Sequence, residues 1–352
     1  MFEYSEESKF RQIFVPGKAR LGRRTGGTSS QRNEAWGEKA VKDDSERVFK
    51  HALTLKEDKP LNNTDYQKFT GVFSLLLTPF RSNKEIDWDV YEKYVNWQLS
   101  FQPAGLFAVC GSSEMKWLTL EERLELARRA VYLAGSTPVV ATANLEPNPD
   151  DHPDELRRMI ETGVSGVVLV PPNGMGEDQR RLHAYMANMA DLAGCPVILY
   201  EWPLVHPYRV DPEIYRELVS SHGVLGLKDT TCTLEGISQK VNAAPDSIVY
   251  QANTPYLLES VPLGIKGVMA IVSAASGKTV IDFWNAAMRE EPEASALHNK
   301  LVYLDALLRF SYPASAKYLA SLQGIPIETY CRADSALTEE ARKAMDVWHG
   351  HS

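Results

Sequence analysis

The sequence predicts an α/β protein whose body is a (β/α)8 TIM barrel, with extra C-terminal helices and a flexible N-terminal extension. Three observations predict it. From Gly71 onward one unit recurs eight times: a short aliphatic or β-branched run, a loop, then a longer amphipathic stretch. The runs are continuously apolar rather than alternating, the pattern of parallel strands covered on both faces. The first run ends in Leu-Leu-Thr-Pro-Phe (76–80), without the Gly-rich turn that a doubly wound open sheet places there. Eight such units close most naturally into a barrel.

In chain order, Val-Phe-Ser-Leu-Leu-Leu (72–77) is the first strand and 89–100 the first helix. Gly-Leu-Phe-Ala-Val (105–109) precedes a helix at 120–134, whose start carries Thr119 and Glu122 as a capping box. Val-Val-Ala-Thr (139–142) pairs with a helix at 151–162, and Gly-Val-Val-Leu-Val (166–170) with one at 179–193. Val-Ile-Leu-Tyr (197–200) leads to a helix at 212–221, opened by Asp211 as N-cap and Pro212 at the first helical position. Leu-Gly-Leu-Lys (225–228) goes with 234–243, Ser-Ile-Val-Tyr (247–250) with 255–261, and Gly-Val-Met-Ala (267–270) with 278–288. Residues 293–352 read as two or three more helices, packed on the barrel's flank or against another subunit. The division is therefore an extension (1–66), a catalytic barrel (67–290) and a C-terminal helical segment (291–352).

The extension holds an Arg- and Gly-rich run (20–30) and a mixed-charge stretch (34–59), with no apolar core for a secretory signal. Glu3, Glu6 and Glu7 argue against a transit peptide, which is poor in acids. It reads as largely flexible with a short helix near 45–55, or as an over-long translated start.

Composition excludes several functions. Of 352 residues, 44% are hydrophobic and 24% charged, as in a soluble globular protein. A net charge of −8 argues against nucleic-acid and anionic-membrane partners. The longest apolar runs, around 163–172, fall far short of the ~20 residues of a membrane span. Cys110, Cys195, Cys232 and Cys331 lie far apart without CxxC spacing, which suggests free thiols in a reducing, cytoplasmic setting. The histidines show no metal-ligand spacing. Ser276-Gly277-Lys278-Thr279 resembles the tail of a phosphate-binding loop, but Val272 stands where that pattern needs glycine.

In a barrel the active site forms at the C-terminal strand ends. Lys228 closes the sixth strand, where desolvation lowers an amine's pKa and makes it a nucleophile toward carbonyl carbon. Taken alone it could snorkel outward or pair with Asp229. Tyr200 ends the fifth strand and offers a phenol for proton transfer, or packs against Trp202. Gly111-Ser112-Ser113 follows the second strand and can cradle a carboxylate, or simply open the next helix. Together, three such residues on three strand ends suit imine chemistry on a 2-oxo acid. Lys228, Tyr200 and Ser112 are the catalytic candidates. Gly111, Ser113, Thr78, Glu114, His206, Arg209, Asn253 and Ile271 are the candidates for substrate binding.

The segments Leu-Thr-Pro-Phe (77–80), Gly-Ser-Ser-Glu through Leu-Thr-Leu-Glu-Glu-Arg (111–123), Ile-Leu-Tyr-Glu-Trp-Pro (198–203) and Gly-Leu-Lys-Asp-Thr-Thr (226–231) occur in this order. With the lysine 28 positions after the tyrosine, they resemble the dihydrodipicolinate synthase/N-acetylneuraminate lyase family, from Gly71 to the C-terminal helices. The resemblance implies a Schiff-base lysine at Lys228, a proton-relay phenol at Tyr200 and pyruvate-carboxylate binders at Ser112 and Ser113. It further implies a TIM barrel without metal or organic cofactor, assembled as a homo-oligomer (dimer or tetramer). The expected activity is aldolase-type carbon–carbon cleavage or condensation; a sugar-acid dehydratase using the same lysine, or a catalytically quiet 2-oxo-acid-binding barrel, are the alternatives.

Three departures mark a divergent member. The family's glycine before the glutamate is missing, so Ser113 runs straight into Glu114. Pro171-Pro172-Asn173-Gly174 stands where dihydrodipicolinate synthases carry a tyrosine pair, one of which crosses a dimer interface. Pro203 to Arg209 replaces their Pro-Gly-Arg-Thr run. These changes point away from lysine biosynthesis and toward a sugar-acid-type or another branch of the family.

Overall fold

A computed structural model describes residues 63–350. The expected extension, apart from its last four residues, and the helix near 45–55 lie outside the described residues. Eight parallel strands close in sequence order: β1 (Gly71–Leu75), β2 (Gly105–Val109), β3 (Val139–Thr142), β4 (Gly166–Leu169), β5 (Val197–Tyr200), β6 (Val224–Asp229), β7 (Ile248–Gln251) and β8 (Gly267–Val268). Every strand residue is buried, which is why the strands read as unbroken apolar runs. Strand ends differ from expectation by one or two residues. The pairing itself runs on, with Leu76 N donating to Phe107 O and Met269 N to Gln251 O.

Aromatic rings fill the lower barrel. Phe73 meets Tyr250 edge-on at 5.6 Å. A Cβ on Gly105 would lie 2.2 Å from the Phe73 ring, and one on Gly267 would lie 2.5 Å from the Tyr250 ring, so only glycine lets these rings occupy the axis. Helix α1 (Asn63–Lys68), whose first four residues fall in the stretch expected to be a largely flexible extension, caps this end. The Tyr66 hydroxyl donates to Ser247 O and the Tyr250 hydroxyl to Phe69 O.

The helices α2 (Trp88–Ser100), α3 (Leu120–Ala134), α4 (His152–Ile160), α5 (Gln179–Ala193), α6 (Pro212–His222), α7 (Leu234–Ala243), α8 (Leu257–Ser260) and α9 (Ser273–Met288) follow the strands in turn. The Thr119–Glu122 capping box is formed in both directions. Asp211 does precede Pro212 at N1, but its carboxylate makes no capping bond. Helix α9 starts five residues before the expected point because a kink at Ser276 joins it to an extra turn. Ser273 anchors that turn, its hydroxyl accepting from Leu75 N and donating to Ala270 O.

Three further helices follow: α10 (Glu293–Leu308), α11 (Ala314–Leu322) and α12 (Glu339–Gly350). Helix α10 is tied to the loop after β7 by His298 Nε2 to Thr254 O and by the Thr254 hydroxyl donating to Asp305 Oδ1. The C-terminal helices thus reach the strand-end side of the barrel, where the candidate residues gather. Among the described residues no helix is long and apolar enough to cross a membrane.

Candidate active site

Lys228 pairs in register with Tyr200 on β5 and Tyr250 on β7. Alternation along a strand sends Lys228 and its neighbour Asp229 to opposite faces. Asp229 accordingly accepts from Thr231 N and the Thr231 hydroxyl. It does not serve as a surface partner for the lysine. Lys228 is only 3% exposed, and its amine lies 4.0 Å from the Tyr200 ring centroid and 5.5 Å from that of Phe107. Burial lowers its pKa to about 8, opposed only in part by the Cys110 thiol. Near pH 7 about a tenth of such amines are neutral. The sign follows: the reactive form is gained as pH rises through 8. Labelling of Lys228 by an amine-directed acylating reagent should rise about tenfold per pH unit up to that point, then level off. Mass spectrometry of the labelled peptide checks this, and a plateau delayed to the ordinary lysine range would refute the desolvated amine.

Tyr200 is 6% exposed, and burial raises its phenol far above the usual range, so it remains a proton donor. Among the described residues its hydroxyl has no hydrogen-bond partner, which leaves it available to a ligand. It faces the turn after β2: a Cβ on Gly111 would lie 3.7 Å from the Tyr200 hydroxyl and 4.0 Å from Trp202 Nε1. Glycine there keeps the mouth open beside the phenol.

The turn Gly111–Ser113 divides its hydroxyls between two jobs. Ser113 Oγ accepts from Cys110 N and donates to Cys110 O, both at 2.8 Å, and Thr78 Oγ1 donates to Ser113 O at 2.7 Å. Thr78 and the Ser113 side chain therefore hold the turn's shape. Ser112 Oγ instead accepts from the Tyr312 hydroxyl, a residue the sequence reading did not single out.

Glu114 was expected to face substrate. It sits at φ 60°, ψ 34°, the left-handed conformation in which a glycine would be the usual residue. Its Oε1 accepts from Lys317 Nζ at 2.7 Å, and its Oε2 accepts from Arg332 N at 2.6 Å and Ala333 N at 2.8 Å. Both oxygens bind the C-terminal segment rather than the barrel mouth.

On the opposite rim, Glu201 Oε1 forms a buried ion pair with Lys240 of α7 and accepts from Val210 N at 3.0 Å. This fixes the loop between β5 and α6. His206 and Arg209 are exposed on that loop, the His206 ring 5.9 Å edge-on from Tyr208 and the Arg209 guanidinium 5.9 Å from the same ring. Asn253 is buried, with Nδ2 on Gln251 Oε1 and Oδ1 accepting from Cys232 Sγ at 2.8 Å. Ile271 lies half-buried after β8. The structure thus gathers Lys228, Tyr200, Gly111 and Ser112 closely, sets Asn253 and Ile271 at further strand ends, and leaves His206 and Arg209 on the outer loop.

Residues missed from sequence include Phe107, Cys232, Arg309 and Tyr312. Arg309 Nε binds Asp305 Oδ2 at 2.6 Å, and its charge is felt by Cys232. Phe107 was readable as an inward strand residue; the two α10–α11 residues carry no local motif. Among the described residues no three His, Cys, Asp or Glu side chains converge as metal ligands.

Comparison with known proteins agrees with the barrel fold. A sequence model of the dihydrodipicolinate synthetase family matches residues 68–347. The 4-hydroxy-tetrahydrodipicolinate synthase of Pseudomonas savastanoi pv. phaseolicola is 28% identical over 242 residues, 68% of this chain and 82% of its own. A dihydrodipicolinic acid synthase-family prophage protein from E. coli K12, solved in complex with pyruvate, matches with a TM-score of 0.75 at 20% identity, covering 80% of this chain and 98% of that one. A dihydrodipicolinate synthase from Bacillus anthracis matches with a TM-score of 0.76 at 22% identity, covering 81% and 98% respectively. At such identities the solved structures speak to the fold.

Proposed function

The chain belongs to the dihydrodipicolinate synthetase family and is an enzyme of that lyase type; on that premise we propose that it forms an imine between Lys228 and a 2-oxo acid such as pyruvate. The observation that carries this reading is the desolvated Lys228 amine, held 4.0 Å from the ring of Tyr200. The neutral amine adds to the ketone carbon, and the carbonyl oxygen takes up protons and departs as water. The protonated imine then withdraws electrons from the adjacent carbon, so that a bond to hydrogen or to carbon breaks there and leaves an enamine. Tyr200 supplies the proton to the departing oxygen. The carboxylate is held at the Gly111–Ser113 turn, by its backbone amides and the Ser112 hydroxyl. In this reading Thr78 and the Ser113 hydroxyl shape the turn and do not touch substrate.

The catalytic unit is the barrel at 67–290, and 291–352 completes its mouth. A hydroxylated 2-keto sugar acid suits a rim built from Asn253, Cys232 and the cationic Arg309. Incubation with pyruvate and borohydride should fix a reduced adduct on Lys228, detectable by peptide mass spectrometry. If pyruvate and a panel of 2-oxo acids all leave Lys228 unmodified, the imine reading fails. Product analysis on aldonic and 2-keto-3-deoxy acids then separates cleavage from loss of water.

A further inference from the structure

Behind Lys228 and Tyr200, the outer faces of β5 and β6 carry two buried carboxyls. Tyr200 and Lys228 are register partners, so the residues that follow them, Glu201 and Asp229, stand side by side on the opposite face of strands about 4.8 Å apart. Glu201 N donates to Lys228 O at 3.2 Å, and the Thr230 hydroxyl donates to Glu201 O. Both acidic side chains are fully buried. Each has one oxygen in use. Glu201 Oε1 accepts from Lys240 Nζ and Val210 N, and Asp229 Oδ1 accepts from Thr231 N and the Thr231 hydroxyl. Among the described residues, the remaining oxygens, Glu201 Oε2 and Asp229 Oδ2, have no hydrogen-bond partner. Two like charges on neighbouring dry positions repel, and a buried acceptor without a donor adds a further cost. Burial is the main cause that raises the Glu201 pKa; Lys240 opposes it, and Asp229 adds to it. The other ionisable groups around the pair are Tyr215 on α6, Tyr208 on the loop and Cys232 after β6, and each holds its own proton at neutral pH. Arg209 acts on Tyr208 and Cys232, and Arg309 on Cys232. Lys240 is the cation bonded to the pair.

We infer that Glu201 and Asp229 share a single proton, and that Glu201 is thereby a positioning residue for the mouth loop that starts at Trp202. One proton turns two open acceptors into one O–H···O bond. It also leaves the pair with one negative charge, which Lys240 matches. Glu201 precedes the loop and grips Val210 N at its far end, so both ends of 202–210 are tied to one residue. Lys240 ties the same carboxyl to α7. Trp202 runs from this anchor toward the mouth, where its Nε1 lies 4.0 Å from a Cβ placed on Gly111. The reacting groups and their support are thus back to back. Lys228 and Tyr200 face the mouth, and the shared proton keeps the strand ends behind them from being driven apart. Because the folded pair keeps a proton that the unfolded chain gives up, its contribution to stability is complete below the ordinary carboxylate range and falls as pH rises toward the pair's own value.

The test uses the full chain and variants of this pair. Infrared difference spectra at neutral pH should show one protonated carboxyl in the parent, lost in Glu201→Gln and equally in Asp229→Asn, because either amide donates the hydrogen and releases the proton. Glu201→Gln should melt about 2–4 °C above the parent at about pH 8, with the gap closing toward about pH 4. The Glu201→Gln/Asp229→Asn double variant, which strands Lys240 without a counter-charge, should melt below both singles. The kinetic arm rests on the imine reading given above. Glu201→Ala should slow the exchange of pyruvate C3 hydrogens for deuterium, followed by NMR, about tenfold, and Glu201→Gln should restore most of the loss. If Glu201→Gln melts below the parent at about pH 8, or Asp229→Asn keeps the protonated-carboxyl band, the shared proton is overturned. Parent-rate exchange in a folded Glu201→Ala overturns the positioning role. Absence of any borohydride-trapped adduct on Lys228 in the unsubstituted chain overturns the imine reading instead, and the infrared and melting results still decide the proton.

Discussion

Lys228→Ala is expected to abolish borohydride capture of pyruvate and to lower turnover by on the order of 10^4-fold or more. The Lys228 amine can form an imine with the ketone carbon, and neither Tyr200 nor Ser112 replaces its electron sink. The fold should survive. The change truncates a residue that is 3% exposed and leaves a small cavity beside Phe107 and Tyr200, while relieving the burden of burying a charge there. A thermal melt close to that of the parent chain would accompany the loss of activity. The experiment also separates an enzyme from a quiet barrel. If the parent chain binds pyruvate without turnover and Lys228→Ala binds it equally well, the lysine is a wall of a binding site and the imine mechanism is wrong. Retained turnover in Lys228→Ala would sink it outright.

The place of Lys228 near a strand end was legible because its signal is local. Strands buried on both faces read as unbroken apolar runs, and a lysine at the end of such a run stands out against them. The same periodicity placed all eight strands within a few residues, and the helical spacing placed the flanking helices. What was not legible depends on contacts with no local trace. Tyr312 and Ser112 lie 200 positions apart, and nothing in the sequence says that the turn after α10 folds back over β2. Glu114 shows the converse error. A carboxylate next to a strand end was read as facing substrate, yet a residue 1% exposed needs matched partners. Those partners come from positions 317, 332 and 333. His206 and Arg209 were chosen for their chemistry alone, and their loop carries them to the surface.

Lys317→Ala is expected to cost about 3–5 kcal/mol of stability, since it strands a buried carboxylate. Glu114 and Lys317 are 1% and 0% exposed in their side chains and 2.7 Å apart. Lys317 also donates to Tyr330 O at 2.7 Å, so its loss frees the segment that Arg332 and Ala333 tie to the same carboxylate. Glu114→Ala should be damaging for the complementary reason, leaving an ammonium and two backbone amides without their acceptor. Glu114→Gly should fall short of Glu114→Ala by about 1 kcal/mol, because glycine adopts the left-handed backbone at this position without penalty. A Glu114→Gln/Lys317→Met pair, which removes both charges and keeps much of the volume, should recover part of the loss. Urea titration of the four variants measures these differences. The kinetic signature follows from the segment's position: loosening it should disturb the Tyr312–Ser112 bond and lower kcat while Lys228 trapping persists. A Glu114→Gln variant of parent stability with a raised KM for the 2-oxo acid would show instead that Glu114 meets the substrate, and the anchoring role would have to be abandoned.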